Sequence, residues 1–241
     1  MNSEFITELI NETLNNSITE EEAINLIKAK YKNNKPLENK LTRDLIYYRI
    51  AIYINNPQKF NLNIDYLKSI HFYLFNNIEN HAGVIREKNI SKKEECLHFR
   101  SVIYCSHDMI LDSITYDFKE EAKHSYRRKS MDEKTVMLSK FISNIWQAHP
   151  FCDGNTRTDM VFLRKYLEYL DIYHNPDIFT NNFAYFRNAL VRSNYNTIGW
   201  IQPTYEYLNK FIYNLLLGNT DALNIAETYV PEEAMVLKHH K

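Results

Sequence analysis

Apolar residues recur every three to four positions along most of the chain, a pattern that predicts helices rather than strands. Residues 3 to 31 read as one or two polar amphipathic helices, with Thr19 and Glu22 spaced as a capping box. Asn33 to Lys40 is a polar, proline-containing linker, and residues 41 to 54 are helical by the spacing of Leu45, Tyr48 and Ile52. A turn at Asn55-Asn56-Pro57 follows, and Asp65 opens a helix that runs to Asn77. Ser130 and Glu133 form a second capping box. Behind it Met137, Leu138, Phe141, Ile142, Ile145 and Trp146 make a broad apolar stripe that ends at His149. Met160, Leu163, Leu167 and Leu170 mark the next helix, and further helices are expected at about 183–194 and 201–217. Residues 219 to 241 read as a polar tail or a last helix.

One stretch departs from the helical period. Val84, Ile85, Asn89 and Ile90, then Ser101, Val102, Ile103 and Tyr104, form two β-prone runs with charged Lys92, Lys93, Glu94 and Glu95 between them. The expectation is a small hairpin in an otherwise helical chain.

Composition narrows the class. With 241 residues, the chain is long enough for one domain with an extension. Its apolar content of 44% is ordinary for a globular protein. A net charge of −1 gives no global basic field for nucleic acid, and the run Lys123 to Lys129 reads as a solvated basic loop. No window of about eighteen apolar residues occurs and no basic-then-apolar leader opens the sequence, so a cytoplasmic protein without a spanning helix is expected. Three cysteines without CxxC spacing suit a reducing compartment.

The chemistry concentrates in residues 149 to 157, His-Pro-Phe-Cys-Asp-Gly-Asn-Thr-Arg. Gly154, one of four glycines, stands immediately before a helix. A glycine turn opening a helix presents free backbone N–H groups and the positive end of the dipole, which together cradle an anion, usually phosphate. His149 can act as a general base near neutral pH. Asp153 offers hard oxygen to Mg²⁺. Gly154 lets the backbone approach a phosphate, Asn155 can donate from its side chain, and Arg157 can fork onto phosphate oxygens. Phe151 would anchor the loop in the core, and Cys152 reads as a bystander. Each residue alone also fits an ordinary loop between two helices; it is the set in this order that points to phosphate chemistry.

This segment resembles the signature of Fic-domain proteins, roughly HPFx(D/E)GN, a small or basic residue, Arg, two residues, Arg. His149, Pro150, Phe151, Asp153, Gly154, Asn155 and Arg157 fit it. Residues 66 to 92, YLKSIHFYLFNNIENHAGVIREKNISK, and 183 to 194, FAYFRNALVRSN, are similar to its flanking helices, so the resemblance covers about 45 to 217. It implies an all-α fold, a Fic-type helical bundle with a small β-hairpin flap over the active site. The corresponding domains are an N-terminal helical extension at 1–40, a Fic domain at 41–217 and a C-terminal tail or helix at 218–241. It further implies a protein adenylyltransferase that moves AMP from ATP to a Ser, Thr or Tyr hydroxyl. His149 would be the base, Asp153 the Mg²⁺ ligand, and Gly154, Asn155, Thr156 and Arg157 the ATP-binding residues. The target protein would dock by strand addition at the flap near 84–104.

Two positions depart from the pattern. Thr156 stands where glycine is commonest, and the second arginine falls on Met160. Arg164, one turn on, is a substitute phosphate ligand, with Arg187 and Arg192 as further candidates. The family's inhibitory motif, Ser or Thr, three residues, then Glu with Gly or Asn, does not occur; Glu38-Asn39 and Glu79-Asn80 lack the hydroxyl residue. Self-inhibition by that route is therefore not expected, and either an antitoxin-like inhibitor protein restrains the enzyme or its activity is low. Thr156 and Met160 keep a protein phosphotransferase on the same site open as an alternative. Arg100 and His107, with an Arg-x₆-His spacing, keep a helical RNase toxin open as another.

Overall fold

The protein is described from a computed structural model covering residues 4–32, 38–196, 201–218 and 221–231. Residues 33–37 of the expected linker, and 219–220 and 232–241 of the expected tail, lie outside the described residues.

Two capping boxes start helices as the spacing predicted. Thr19 accepts from the Glu22 amide while the Glu22 carboxylate accepts from the Thr19 amide, opening α2 (Glu20–Tyr31) after α1 (Glu4–Leu14). Ser130 and Glu133 do the same for α6 (Met131–Ala148). Helix α3 spans Glu38–Asn55, so it begins inside the stretch expected as linker. Helix α4 spans Ile64–Phe75, with Asn63 rather than Asp65 at its cap, because the Asn63 side chain accepts from the Tyr66 amide.

Two buried cations fasten helix ends to neighbours. Arg49 on α3 donates to Leu74 O and Asn76 O at the end of α4. Lys165, on α7 (Asn155–Tyr169), donates to Ile54 O and Asn56 O at the end of α3. Each cation satisfies carbonyls that a helix terminus leaves open and offsets the negative end of its dipole.

Helix α5 (Ile110–Glu121) is an addition to the elements read from the sequence. Ile110, Ile114 and Phe118 recur every four residues along it and are buried, so the periodic signal was present. Helix α8 (Asp177–Asn194) extends further back than 183, with a kink at Asn182, and α9 (Glu206–Leu217) follows. The main core lies among α4 to α9, with Phe162, Trp146, Phe186 and Phe211 fully buried. A smaller core, built on Ile6, Leu9, Ala23, Ile27, Leu45, Tyr48 and Ile52, joins α1 and α2 to α3. Residues 221–231 form neither a helix nor a free tail: a 3-10 turn at Ile225–Thr228 leads to Val230, which is buried and whose amide donates to Cys96 O.

The hairpin exists, but with a different first strand. Strands β1 (Ser91–Glu94) and β2 (Arg100–Ile103) pair antiparallel, Lys92 opposite Val102 and Glu94 opposite Arg100. The charged residues expected between the strands form most of β1, and the β-prone residues 84–90 run as an irregular approach. Pairing is set here by the turn: a 3-10 turn at Glu95–Leu97 and left-handed His98 and Phe99 (φ 50° and 62°) bring the chain back. β-Propensity is subordinate to such tertiary choices. Side chains alternate along strands, so Lys92 and Glu94 share a face with Val102 and with Tyr104 just beyond β2. That face looks onto residues 149–157.

Candidate active site

Helix α6 ends at His149, which takes a left-handed conformation (φ 47°) and turns the chain into the loop. Gly154, also left-handed (φ 76°), caps the start of α7. A Cβ at Gly154 would collide with the Phe75 ring, so both the dihedral and the packing require glycine. The first-turn amides after it have no partner within their own helix and carry the positive end of its dipole.

The loop is braced from several sides. Asn155 accepts from the Phe151 amide and donates one of its two side-chain N–H groups to Phe151 O, so its side chain also braces the loop. Phe151 is buried, as expected, and stacks on His71 with ring centroids 3.8 Å apart. The Gly83 amide donates to His71 Nδ1, which leaves Nε2 as the protonated nitrogen, donating to Asp153 O at 3.0 Å. Burial pushes His71 down to about 4, against smaller upward contributions from Asp153, so it stays neutral. Arg86 donates from its guanidinium to His149 O, Ala148 O, Cys105 O and Lys88 O, and its amide donates to Pro150 O. His71 and Arg86 lie in the segments whose likeness to the flanking helices is quoted above; their positioning role was not read from the sequence because their partners sit in the loop, far along the chain.

His149 is buried. Its Nδ1 lies 3.1 Å from Trp146 O, and since a carbonyl can only accept, Nδ1 carries the proton. Nε2 therefore holds the lone pair, and it has no hydrogen-bond partner. Burial, then the charges of Lys92 and Arg86, push its pKa down to about 3, outweighing the Trp146 carbonyl and Asp153. Tyr104 covers the ring, stacked at 3.6 Å between centroids. Thr156 Oγ1 accepts from the Trp146 indole at 3.0 Å, which ties the departure from glycine to the helix that delivers His149.

The Asp153 carboxylate is half exposed, with Lys92 Nζ at 2.8 Å from one oxygen and Arg157 Nη2 at 3.7 Å from the other. Burial alone would raise its pKa, but Lys92, the Gly154 amide and Arg157 outweigh it and hold the group below the usual carboxylate range. Arg157 lies over the Phe75 ring at 5.1 Å.

His149, Asp153, Gly154, Asn155, Thr156 and Arg157 line one cavity of about 190 Å³, joined by Lys92, Glu94, Tyr104 and Arg187. Arg164 is elsewhere. It shares the face of α7 with Arg157 but lies seven residues on, about 10 Å along the axis. There it pairs with Glu168 and lines a neighbouring groove with Met160. Arg192 donates to Thr228 O and lies over Tyr207. Of the three substitute arginines, Arg187 alone reaches the cavity of His149. Arg100 and His107 do not line it.

The family model for Fic/DOC matches residues 61–167, which hold α4, the flap, His149 and the helix behind Gly154. Residues 61–167 are a Fic domain. The chain is similar in fold to the Fic domain of a VirB-translocated Bartonella effector protein from Bartonella quintana, solved with bound ADP. That match has TM-score 0.62 and 15% identity, over 76% of this chain and 86% of that one. It is also similar to BepC from Bartonella tribocorum, solved with bound AMPPNP, at TM-score 0.59 and 14% identity, over 74% and 85% of the two chains. A third similar structure is the Fic domain of Bep8 from Bartonella sp. 1-1C, at TM-score 0.60 and 17% identity, over 74% and 84%. No helix among the described residues is long and apolar enough to cross a membrane.

Proposed function

We propose that this Fic domain transfers AMP from ATP to a Ser, Thr or Tyr hydroxyl of a target protein. The observation that carries the reading is the state of His149: proton on Nδ1, lone pair on Nε2, in the same cavity as the helix end that Gly154 opens. A base beside an anion cradle is what in-line transfer needs, and this arrangement supports that reading. The similar Bartonella domains solved with ADP and AMPPNP support a nucleotide as the ligand.

In this mechanism the α-phosphate rests on the amides after Gly154, with Arg157 on its oxygens. The target hydroxyl attacks the α-phosphorus, its proton passes to His149 Nε2, and the bond to the bridging oxygen breaks to release pyrophosphate. Burial and the nearby cations make His149 a weak base; the anionic nucleotide raises its basicity as it binds. Asp153 fits a Mg²⁺ site of the kind that uses one protein carboxylate and substrate phosphates. Among the described residues no three His, Cys, Asp or Glu groups gather into a self-sufficient metal site. Mg²⁺ there would neutralise phosphate charge. Lys92, now on Asp153, would be free to turn to the nucleotide.

The target docks on the flap near 84–104 by adding a strand to the hairpin. Ile103 and Phe99 stand exposed there. The division into an N-terminal helical extension at 1–40, a Fic domain at 41–217 and a C-terminal segment at 218–241 is part of the same proposal, supported for the first unit by its separate core with α3. A cytoplasmic setting and an inhibitor protein as regulator complete it.

The test uses ATP labelled at the α- or γ-phosphate, with Mg²⁺ and a lysate, on wild-type and His149→Ala protein. Protein label from α-labelled ATP alone, lost in the variant, is the expected result. Label from γ-labelled ATP alone would replace this reading with phosphoryl transfer.

A further inference from the structure

Glu94 ends β1 and is buried, yet it lines the same cavity as His149, Asp153 and Arg157. Its two oxygens lie 3.0 and 2.8 Å from Arg187 Nη2, which reaches in from α8 on the facing wall. A carboxylate is an unexpected lining for a cavity that takes a polyphosphate, because the two anions compete for the same cations and repel each other. Burial pushes the Glu94 carboxyl up, against the opposing pull of Arg187 and Lys92.

The rest of the cavity leaves a gap that Arg187 fits. Position 160, where the signature has its second arginine, holds Met160, and both Met160 and Arg164 line the neighbouring groove. The Arg187 guanidinium is nearly half exposed and engages a planar two-oxygen anion from the flap. Both Glu94 oxygens meet one nitrogen, Nη2, and a phosphate oxygen is an equally good acceptor for a guanidinium N–H, so a phosphate can take the place that Glu94 holds on Arg187.

We propose that Arg187 grips the outer phosphates of the nucleotide, and that Glu94 is the group they displace from it. The proposal rests on the nucleotide reading above. It assigns the recognition of a triphosphate over a monophosphate to a residue outside the signature. It also gives the flap a specific duty: the strand that receives the target holds a carboxylate on the phosphate ligand until nucleotide arrives. The contact spans 93 residues of sequence.

The experiment is calorimetric titration of ATP and of AMP, each with Mg²⁺, into the full chain carrying His149→Ala so that nothing turns over. Compared are this parent, Arg187→Gln, Glu94→Gln and the double variant, each with a melting curve. Charge-assisted hydrogen bonds contribute enough that Arg187→Gln should weaken ATP about tenfold or more while AMP changes less than about twofold. Glu94→Gln should tighten ATP several-fold, leave AMP unchanged, and lose that gain in the double variant. Should Arg187→Gln fail to fold, the Glu94→Gln ratio of ATP to AMP affinity decides the matter. An unchanged ratio in the single variants, or an equal loss for AMP, overturns the proposal. A parent that binds neither nucleotide overturns the nucleotide reading itself, and this proposal with it.

Discussion

Tyr104 lies flat on His149, ring centroids 3.6 Å apart and planes 19° from parallel, so the flap covers the imidazole that the signature loop presents. The stack removes water from one face of the base and contributes to the burial that lowers its pKa. Tyr104→Ala should therefore let the His149 pKa climb toward its ordinary value of 6.5. An NMR titration of the imidazole reads this directly, and an unmoved midpoint would refute the covering role.

Replacing His149 by Ala should lower the transfer rate by about 10²–10⁴-fold, the usual contribution of a general base. ATP affinity should stay within a few-fold, because the cradle is made by α7. Equal collapse of rate and affinity would mean that His149 shapes the loop rather than taking the proton.

Stability should fall as pH falls. His71 and His149 have folded values of about 4 and about 3, against 6.5 for an ordinary histidine. Between those limits the unfolded chain binds protons that the folded chain refuses, so their stabilisation is complete above 6.5 and is lost progressively down to about 4 and below. Each group contributes a slope of up to about 1.4 kcal/mol per pH unit. Melting curves between pH 7 and 5 should show the fall, and His71→Gln should flatten it; an unchanged slope in that variant would sink the assignment.

Gly154→Ala should cost both stability and binding. The left-handed dihedral alone costs about 1–2 kcal/mol for a residue with a Cβ, and the clash with Phe75 adds to it. The expected outcome is a lower melting point and loss of nucleotide binding. Adding Phe75→Leu should recover part of the melting point by relieving the clash, and no recovery would show that the dihedral is the whole effect.

Arg86→Met should destabilise by roughly 3 kcal/mol, since it leaves several carbonyls near the signature loop without a donor. Chemical denaturation measures it. A loss below about 1 kcal/mol would show that water replaces the guanidinium.

The contacts legible along the chain are local ones. Capping boxes at Thr19 and Ser130 are contacts across three residues, and both form. The apolar stripe ending at His149 and the glycine opening α7 are likewise set by neighbours in the chain. The same locality explains the failures. β-Propensity put the first flap strand at Val84–Ile90, whereas the turn at Glu95–Phe99 places it on Ser91–Glu94. Helical spacing put Arg164 on the right face of α7, but a face does not say which cavity a side chain reaches, and Arg164 reaches the neighbouring one.

Contacts between distant parts of the chain set what surrounds the base and the cradle. His71 meets Asp153 across 82 residues, Lys92 meets Asp153 across 61, and Glu94 meets Arg187 across 93. No period or motif encodes such pairs. They arise because the flap face carrying Lys92, Glu94 and Tyr104 is folded over residues 149–157, and the cost of desolvating each charge is offset only where an opposite charge arrives from elsewhere in the chain.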